Sequence, residues 1–144
     1  SVPAGLGASY AADGPVISFT GDGSFGFVIG DMETIRRSNK NVTIVLTRND
    51  TFGWIRGEAI LMDNVDEPWS TDFGRVDYLK VAEGFGFKTA RITSEDDIAA
   101  TFNEALSHEG ASFIELFVPS QDKIVPFVPN WVEVARERDI PHFY

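Results

Sequence analysis

Apolar residues in this chain form short continuous runs, separated by segments in which apolar residues recur at helical spacing. Runs rich in β-branched or aromatic residues and bounded by glycine, proline or polar residues predict buried strands. Such strands are predicted at residues 16–20, 42–47, 88–92 and 113–118. Strands that are apolar on both faces are typical of parallel sheets covered by helices on both sides. The pattern therefore predicts a doubly wound α/β fold with a mostly parallel sheet.

The segments between these strands carry the signals of helices and turns. Helices are predicted at residues 3–12, 27–38, 77–85 and 94–107, with a short helical stretch at 131–138. Pro3 suits a first helical turn, and Ser94 with the acidic residues after it suits a helix N-terminus. Residues 21–26 are predicted to be a glycine loop. The acidic second half of the segment 48–73, from Asp63 to Asp72, is predicted to be a mobile surface loop.

The length of the chain, 144 residues, corresponds to one domain, with residues 119–144 as a C-terminal tail. The chain opens inside a predicted helix without a lead-in, and an expected first strand is missing. We therefore expect a fragment of a larger protein.

Composition excludes several classes of protein. The chain has 12 basic and 22 acidic residues, and a net charge of −10 disfavours binding to nucleic acid or to anionic membranes. No apolar run approaches the roughly 18 residues of a membrane span. Because the chain contains no cysteine, it cannot form disulfides or thiolate metal sites, and a cytoplasmic location is expected.

Polar, turn-forming residues follow the first two predicted strands. Asp22 comes after the first strand, and Asn49 after the second. The crossover between the strands is long enough to hold a helix, so both carboxyl ends can lie at the sheet edge where α/β proteins bind ligands. A carboxylate and an amide oxygen suit Mg²⁺ or Ca²⁺, and Mg²⁺ completes its coordination with phosphate oxygens and water. Gly23, Ser24 and Phe25 lead into a predicted helix, whose N-terminal N–H groups favour an anion.

The segment 21–26 also matches the dinucleotide-binding pattern G-x-G-x-x-G. Two features weigh against a dinucleotide. Asp22 would face a bare pyrophosphate with a like charge, and residues 40–48 lack the acid that would bind the ribose. No G-x-x-x-x-G-K-[ST] loop occurs, which excludes that class of nucleoside triphosphate site.

The pattern of Gly21-Asp22-Gly23, 25 further residues and then Asn49 resembles the thiamine diphosphate motif of the pyruvate decarboxylase and acetolactate synthase superfamily. Residues 2–8 resemble the helix that precedes this motif in the family, residues 49–53 its metal loop, and residues 76–86 a later helix. The resemblance extends from residue 1 to about residue 118. It identifies the chain as similar to the C-terminal diphosphate-binding domain of these enzymes, and implies the thiamine diphosphate-binding fold.

The resemblance implies roles for individual residues. The side chains of Asp22 and Asn49 and the backbone carbonyl of Thr51 would bind Mg²⁺, and Gly23 and Ser24 would hold the diphosphate. The implied cofactor-binding residues are Gly21, Asp22, Gly23, Ser24, Phe25, Asn49, Thr51, Phe52 and Gly53. Trp54 and Ile55 are candidates for the substrate side. Pyruvate decarboxylases place an acid where Ile55 stands, so the chain is closer to the acetolactate synthase and benzoylformate decarboxylase branches.

The resemblance also implies partners. The glutamate that activates the cofactor would lie on a pyrimidine-binding domain outside this chain, in the same protein or a second subunit of a homodimer or homotetramer. FAD would require another separate domain. The expected enzyme decarboxylates a 2-oxo acid or joins the product to a second carbonyl, and the isolated chain is expected to be inactive.

Other interpretations stay open. The chain could be a noncatalytic binding or assembly module or, less in keeping with Asp22, part of a dinucleotide-dependent oxidoreductase. Asp22 could be a plain turn residue, Asn49 the start of an Asx turn, and Ser24 a helix cap. Phe52, Trp54 and Ile55 could serve only in packing.

Overall fold

The computed structural model describes residues 1–62 and 65–120. The helical stretch predicted at 131–138 and most of the predicted tail lie outside the described residues. Contacts divide the chain into two compact units: the first comprises residues 1–48 and 75–118, and the second includes residues 49–62 and 65–74. None of the described helices is long and apolar enough to cross a membrane.

The described residues form four strands and six α-helices. In chain order these are α1 (Val2–Ser9), β1 (Val16–Gly21), α2 (Asp22–Gly26), α3 (Asp31–Ser38), β2 (Val42–Arg48), α4 (Gly53–Met62), α5 (Tyr78–Gly84), β3 (Lys88–Ile92), α6 (Ile98–Ser107) and β4 (Ser112–Phe117). A 3₁₀ turn at Glu95–Asp97 precedes α6. The four predicted strands are all present, and their bounds differ from the predicted ones by one residue at most.

The sheet of the first unit is parallel throughout, in the order β1-β2-β4-β3. In the register, Val16 of β1 pairs with Val42 of β2, and Gly21 with Thr47. The last strand in the sequence, β4, lies between β2 and β3. The parallel sheet confirms the prediction made from the continuous apolar runs.

Helices lie on both faces of this sheet. Alternate residues of a strand point to opposite faces, so neighbouring residues of β2 contact different helices. Ile44 and Leu46 of β2 pack in one cluster with core residues of α1, α2, α3 and α5, whereas Val45 belongs to a second cluster on the side of α6. The described structure thus confirms the doubly wound α/β fold.

Helix α1 approaches β1 closely at Gly5. A Cβ atom added at Gly5 would lie 2.7 Å from the Cβ atom of Ser18, inside contact distance. The Ser18 hydroxyl donates to the carbonyl of Ser1 at 2.9 Å. A residue without a side chain therefore lets the start of the chain pack against β1.

The glycine segment corrects one prediction. Residues 22–26 form a short helix, not a loop, and the next helix begins at Asp31 and not near Phe27. Phe25 is fully buried in the hydrophobic core, whereas Phe27 is 82% exposed. Between the helices the backbone turns through hydrogen bonds from Val28 N to Phe25 O and from Asp31 N to Val28 O. Burial of one aromatic ring has outweighed the periodicity that predicted a single helix.

Candidate functional site

The first two strands end at the same edge of the sheet. Gly21, the last residue of β1, is the register partner of Thr47 in β2. The Thr47 hydroxyl donates to the carbonyl of Thr20 at 3.2 Å. Asp22 and Asn49 are therefore the residues that follow two strands with neighbouring carboxyl ends, as the sequence predicted.

Asp22 is the first residue of α2 and is only 3% exposed. Its Oδ1 accepts a hydrogen bond from the N–H of Gly23 at 3.0 Å. A carboxylate has about four acceptor positions, so this hydrogen bond occupies only one of them. Ser24, predicted to hold the diphosphate, is exposed, and it is not a helix cap because it lies inside α2.

Phe25 anchors α2 to the hydrophobic core. Its ring lies 5.4 Å from the ring of Phe113 and 5.8 Å from that of Tyr78, centroid to centroid. Tyr78 begins α5, where the Asp77 carboxylate caps the helix by accepting from the N–H of Lys80. The side chain of Phe25 is thus a core side chain, and only its backbone could fill the predicted cofactor-binding role.

Asn49 lies in the second unit and forms the Asx turn that was one of the alternatives for it. Its Oδ1 accepts from the N–H of Thr51 at 3.2 Å, and Asp50 between them has the positive φ of 58°. An amide oxygen has two lone pairs, so the turn orients Asn49 Oδ1 and remains compatible with a metal ligand.

The residues after Asn49 are bound to residues 71–73. Phe52 N donates to Thr71 O at 2.8 Å, and Phe73 N donates to Asp50 O at 2.8 Å. The Thr51 hydroxyl also donates to Thr71 O, at 2.9 Å. Thr71 and Asp72, the last residues of the predicted mobile loop, are therefore bound to the predicted metal loop, whereas residues 63–64 of that loop lie outside the described residues.

Arg56 of α4 strengthens this connection. Its Nη1 lies 3.2 Å from Asp72 Oδ2 and 3.3 Å from the hydroxyl of Thr71. Phe52 packs edge-on against Phe73, with the ring centroids 4.5 Å apart, so Phe52 has the packing role expected for an aromatic residue. These contacts fix the segment that begins with Asn49.

The remaining predicted residues lie at the start of α4. Gly53 is its first residue and is buried. Trp54 and Ile55 are 54% and 52% exposed, so neither residue belongs to the hydrophobic core.

Sequence reasoning missed Arg48 and Glu115. Glu115 is fully buried in β4, and its Oε1 lies 2.7 Å from Arg48 Nη1 while its Oε2 lies 2.5 Å from Arg91 Nε. The signal was present: Glu115 interrupts an apolar strand, and a buried carboxylate needs a charged partner.

Among the described residues, no group of three or more His, Cys, Asp and Glu side chains is arranged to hold a metal ion. The predicted set is of another kind, with one carboxylate, one amide oxygen and one backbone carbonyl. Such a set of hard oxygens fits Mg²⁺ only together with phosphate oxygens and water.

A family model decides the affiliation of the chain. The model described as thiamine pyrophosphate enzyme, C-terminal TPP binding domain, matches residues 1–116. The chain belongs to this family. The match includes the glycine segment, the Asn49 loop and α5. It favours thiamine diphosphate over the dinucleotide suggested by the glycine spacing alone.

Relatives and solved structures agree with the affiliation. The chain is 30% identical, over 89% of its length, to the acetolactate synthase isozyme 1 large subunit of Escherichia coli, and covers 23% of that protein. It is 28% identical, over 92% of its length, to the 3D-(3,5/4)-trihydroxycyclohexane-1,2-dione hydrolase of Bacillus velezensis, and covers 22% of it. Among solved structures, the thiamine diphosphate-dependent 4-hydroxybenzoylformate decarboxylase of Rhodococcus jostii aligns with a TM-score of 0.77 at 27% identity, over 84% of this chain and 23% of that one. The chain thus spans less than a quarter of each, and the three names denote different reactions.

Proposed function

We propose that this chain binds Mg²⁺ and the diphosphate of thiamine diphosphate, as part of an enzyme that decarboxylates a 2-oxo acid or joins the product to a second carbonyl. The observation that carries the proposal is Asp22, a buried carboxylate between two glycines at the carboxyl edge of a parallel sheet. A like charge at that position would repel a bare diphosphate, whereas a divalent cation between the two makes it favourable.

The proposed ligands come from the ends of two strands. Asp22 contributes a negative charge, Asn49 a neutral amide oxygen and Thr51 its backbone carbonyl. The backbone N–H groups of Ser24 and Phe25 and the hydroxyl of Ser24 would hold phosphate oxygens. The N–H of Gly23, which donates to Asp22 Oδ1, would be shared between that carboxylate and a phosphate oxygen, and Gly21, Phe52 and Gly53 would shape the backbone beside them. Trp54 and Ile55 are the proposed substrate-side residues.

The reaction itself depends on the cofactor, which supplies a carbon nucleophile and an electron sink when it is bound. The part of the chain described here would hold and orient it. We place the activating glutamate on a pyrimidine-binding domain beyond these 144 residues, in the same protein or in the second subunit of a homodimer or homotetramer. FAD would be bound only by a further domain. A cytoplasmic location stays a prediction from the cysteine-free sequence.

The metal role is tested by titrating the chain with thiamine diphosphate in the presence of Mg²⁺ or of a chelator, using calorimetry. The wild-type chain should bind only with Mg²⁺. Loss of a residue that merely supports a metal ligand already costs about 10- to 100-fold in affinity, so Asp22→Ala should cost at least about 100-fold. Asp22→Asn, which keeps the size of the side chain but removes its charge, should also bind weakly.

Asp31→Ala is the matched control, because Asp31 also stands in the first turn of a helix that follows β1. It should bind like the wild type. Unchanged affinity in Asp22→Ala, with a folded protein by circular dichroism, would overturn the metal assignment. Decarboxylation of a 2-oxo acid by the isolated chain would contradict the proposal that it holds only part of the catalytic site.

A further inference from the structure

Glu115 is the fully buried carboxylate of the first unit. It lies in β4, between the apolar residues Ile114 and Leu116, with no exposed surface of its own. Each of its two oxygens accepts from a different arginine: Oε1 from Arg48 of β2 and Oε2 from Arg91 of β3. Two arginines therefore converge on one buried carboxylate, Arg48 from a mostly buried position and Arg91 from a partly exposed one.

Stability alone does not explain such a group. The cost of removing charges from water is comparable to what their attraction returns, and apolar residues of similar volume often stabilise a core equally well. A buried ion pair does, however, restrict geometry, since its partners lose energy when they move apart. The ion pair of Glu115 with Arg48 therefore restricts the position of the residues around it.

Arg48 is the last residue of β2 and is bonded directly to Asn49. It is 8% exposed, and its guanidinium lies 5.1 Å from the ring centroid of Tyr78 and 5.1 Å from that of Phe117. The backbone carbonyl of Arg48 accepts from Val118 N at 2.9 Å. Side chain and backbone of Arg48 are thus both held, immediately before the predicted metal loop.

We propose that Arg48 and Glu115 are positioning residues for Asn49. The pair fixes the carboxyl end of β2, and with it the peptide bond from which the Asn49 segment begins. This inference rests on the proposed function, and it adds to that function two residues that do not touch the metal or the cofactor.

Arg91 provides a control on the same carboxylate. It bonds the other oxygen of Glu115, but it lies on β3 at the far end of the strand order, and its side chain is 41% exposed. Losing either arginine removes one of the two arginine partners of Glu115, whereas only Arg48 precedes Asn49. A purely structural role predicts that the affinity for Mg²⁺ falls only as far as the stability falls in each variant, whereas a positioning role predicts a loss of affinity in the Arg48 variant that exceeds its loss of stability.

The experiment compares Arg48→Met with Arg91→Met in the full chain. The affinity for Mg²⁺ is measured by calorimetry at a fixed concentration of thiamine diphosphate, and the midpoint of thermal unfolding is measured beside it. Arg48→Met should weaken Mg²⁺ binding by about 10- to 100-fold, as the loss of a residue that orients a ligand does. Arg91→Met should leave the affinity unchanged. Equal affinities in the two variants would overturn the inference.

A double variant separates positioning from stability. Arg48→Met combined with Glu115→Leu removes the buried carboxylate together with its buried partner, so the thermal midpoint should recover relative to Arg48→Met while Mg²⁺ affinity stays low. Recovery of the affinity together with the midpoint would show that Arg48 acts only through stability, and would overturn the inference.

Hydrogen exchange measured without Mg²⁺ or cofactor distinguishes the proposed function from the positioning role of Arg48. The N–H of Thr51, which donates to Asn49 Oδ1, should exchange with solvent faster in Arg48→Met than in the wild type or in Arg91→Met. If the exchange differs as stated but the wild type binds no Mg²⁺ with thiamine diphosphate, the proposed function fails while the ordering of the loop by Arg48 stands. If the wild type binds and the exchange rates are equal, the positioning role fails alone.

Discussion

The segments that follow β1 and β2 are held by different kinds of interaction. The Asp22 segment, residues 21–26, is anchored by the apolar ring of Phe25, which is fully buried against Phe113. The Asn49 segment, residues 49–53, is held by polar contacts, the hydrogen bonds of its middle residues to Thr71. The residue before it, Arg48, is itself paired with Glu115.

Apolar packing and hydrogen bonds determine different things: the first sets the position of a segment, and the second sets the orientation of its polar groups. Apolar packing is non-directional and depends on area and shape, so it sets where α2 lies. Hydrogen bonds depend on angle as well as distance, so they set how the Asn49 amide and the Thr51 carbonyl are turned. For the proposed function, a charged ligand at Asp22 would tolerate some rotation, whereas a neutral amide and a carbonyl act only along their lone pairs. The two segments should therefore respond to different substitutions.

The largest effect is expected from Phe25→Ala. Removing a fully buried phenylalanine costs about 3–5 kcal/mol of unfolding free energy, because contacts are lost and a cavity remains. Denaturant unfolding measures this loss. Phe27→Ala, at a ring that is 82% exposed, is the control and should change stability by no more than about 0.5 kcal/mol. Similar losses in the two variants would contradict the apolar anchoring of the Asp22 segment.

An intermediate effect is expected from Thr71→Val, which keeps the shape of the side chain. It removes the hydroxyl that donates to Pro68 O at 3.0 Å and accepts from Arg56. Leaving buried partners unsatisfied costs about 1–3 kcal/mol. Faster hydrogen exchange at the N–H of Phe52, which is bonded to Thr71 O, would report it.

Thr89→Val is the control for Thr71→Val, since the hydroxyl of Thr89 makes only an exposed hydrogen bond to Glu83 among the contacts described. Exchange at Phe52 should be as in the wild type. If Thr71→Val also left this exchange unchanged, the polar anchoring of the Asn49 segment would lose its main support.

A smaller effect, dependent on salt, is expected from Asp72→Asn. The Arg56–Asp72 pair measures 3.2 Å, and the Asp72 side chain is 69% exposed, so solvent screens it. Such pairs contribute about 0.2–1 kcal/mol, and the contribution falls with salt. Unfolding at low and high salt should show a difference from the wild type only at low salt. The loss in Phe25→Ala should be the same at both salt concentrations, and a salt-dependent loss there would contradict the comparison.

The smallest effect concerns pH at the apolar anchor. The pKa of Asp77 is lowered from its ordinary value of 3.8, mainly by the hydrogen bonds from the side chain and the backbone of Lys80. A lowered pKa means that the ionised carboxylate favours the folded state. Its contribution is complete above the ordinary pKa and is lost as the pH falls through the lowered one.

The thermal midpoint of the wild type should therefore fall more steeply than that of Asp77→Asn as the pH drops below about 4. At neutral pH the two should differ little, because asparagine also caps helices. Parallel curves for the two proteins below that pH would show that Asp77 does not couple protonation to the folding of α5.

The sequence predicted the strands well and the glycine segment less well. Residues 42–47 are a continuous run of apolar and β-branched residues that is buried on both faces of the sheet, as predicted. Residues 16–20 form the predicted strand at the edge of the sheet, but the prediction that it is buried was wrong for Ile17 and Phe19, which are exposed. The glycines of residues 21–26 predict a loop, and the helical spacing begins only at Phe27, yet residues 22–26 form a helix. The burial of Phe25 accounts for the difference, and that burial depends on Phe113 and Tyr78, which are distant in the sequence.

The sequence by itself determined the fold class and the family, because hydrophobic periodicity is local and the spacing from Gly21-Asp22-Gly23 to Asn49 can be counted along the chain. Only the tertiary structure decided which groups support these residues. Arg48 and Glu115 are 67 positions apart, and Thr51 and Thr71 are 20 apart. Their contacts depend on β4 lying beside β2 and on residues 71–73 returning to residues 50–52. No local pattern specifies such pairings, since each charged or hydroxyl group could have found other partners in a different arrangement of the same strands.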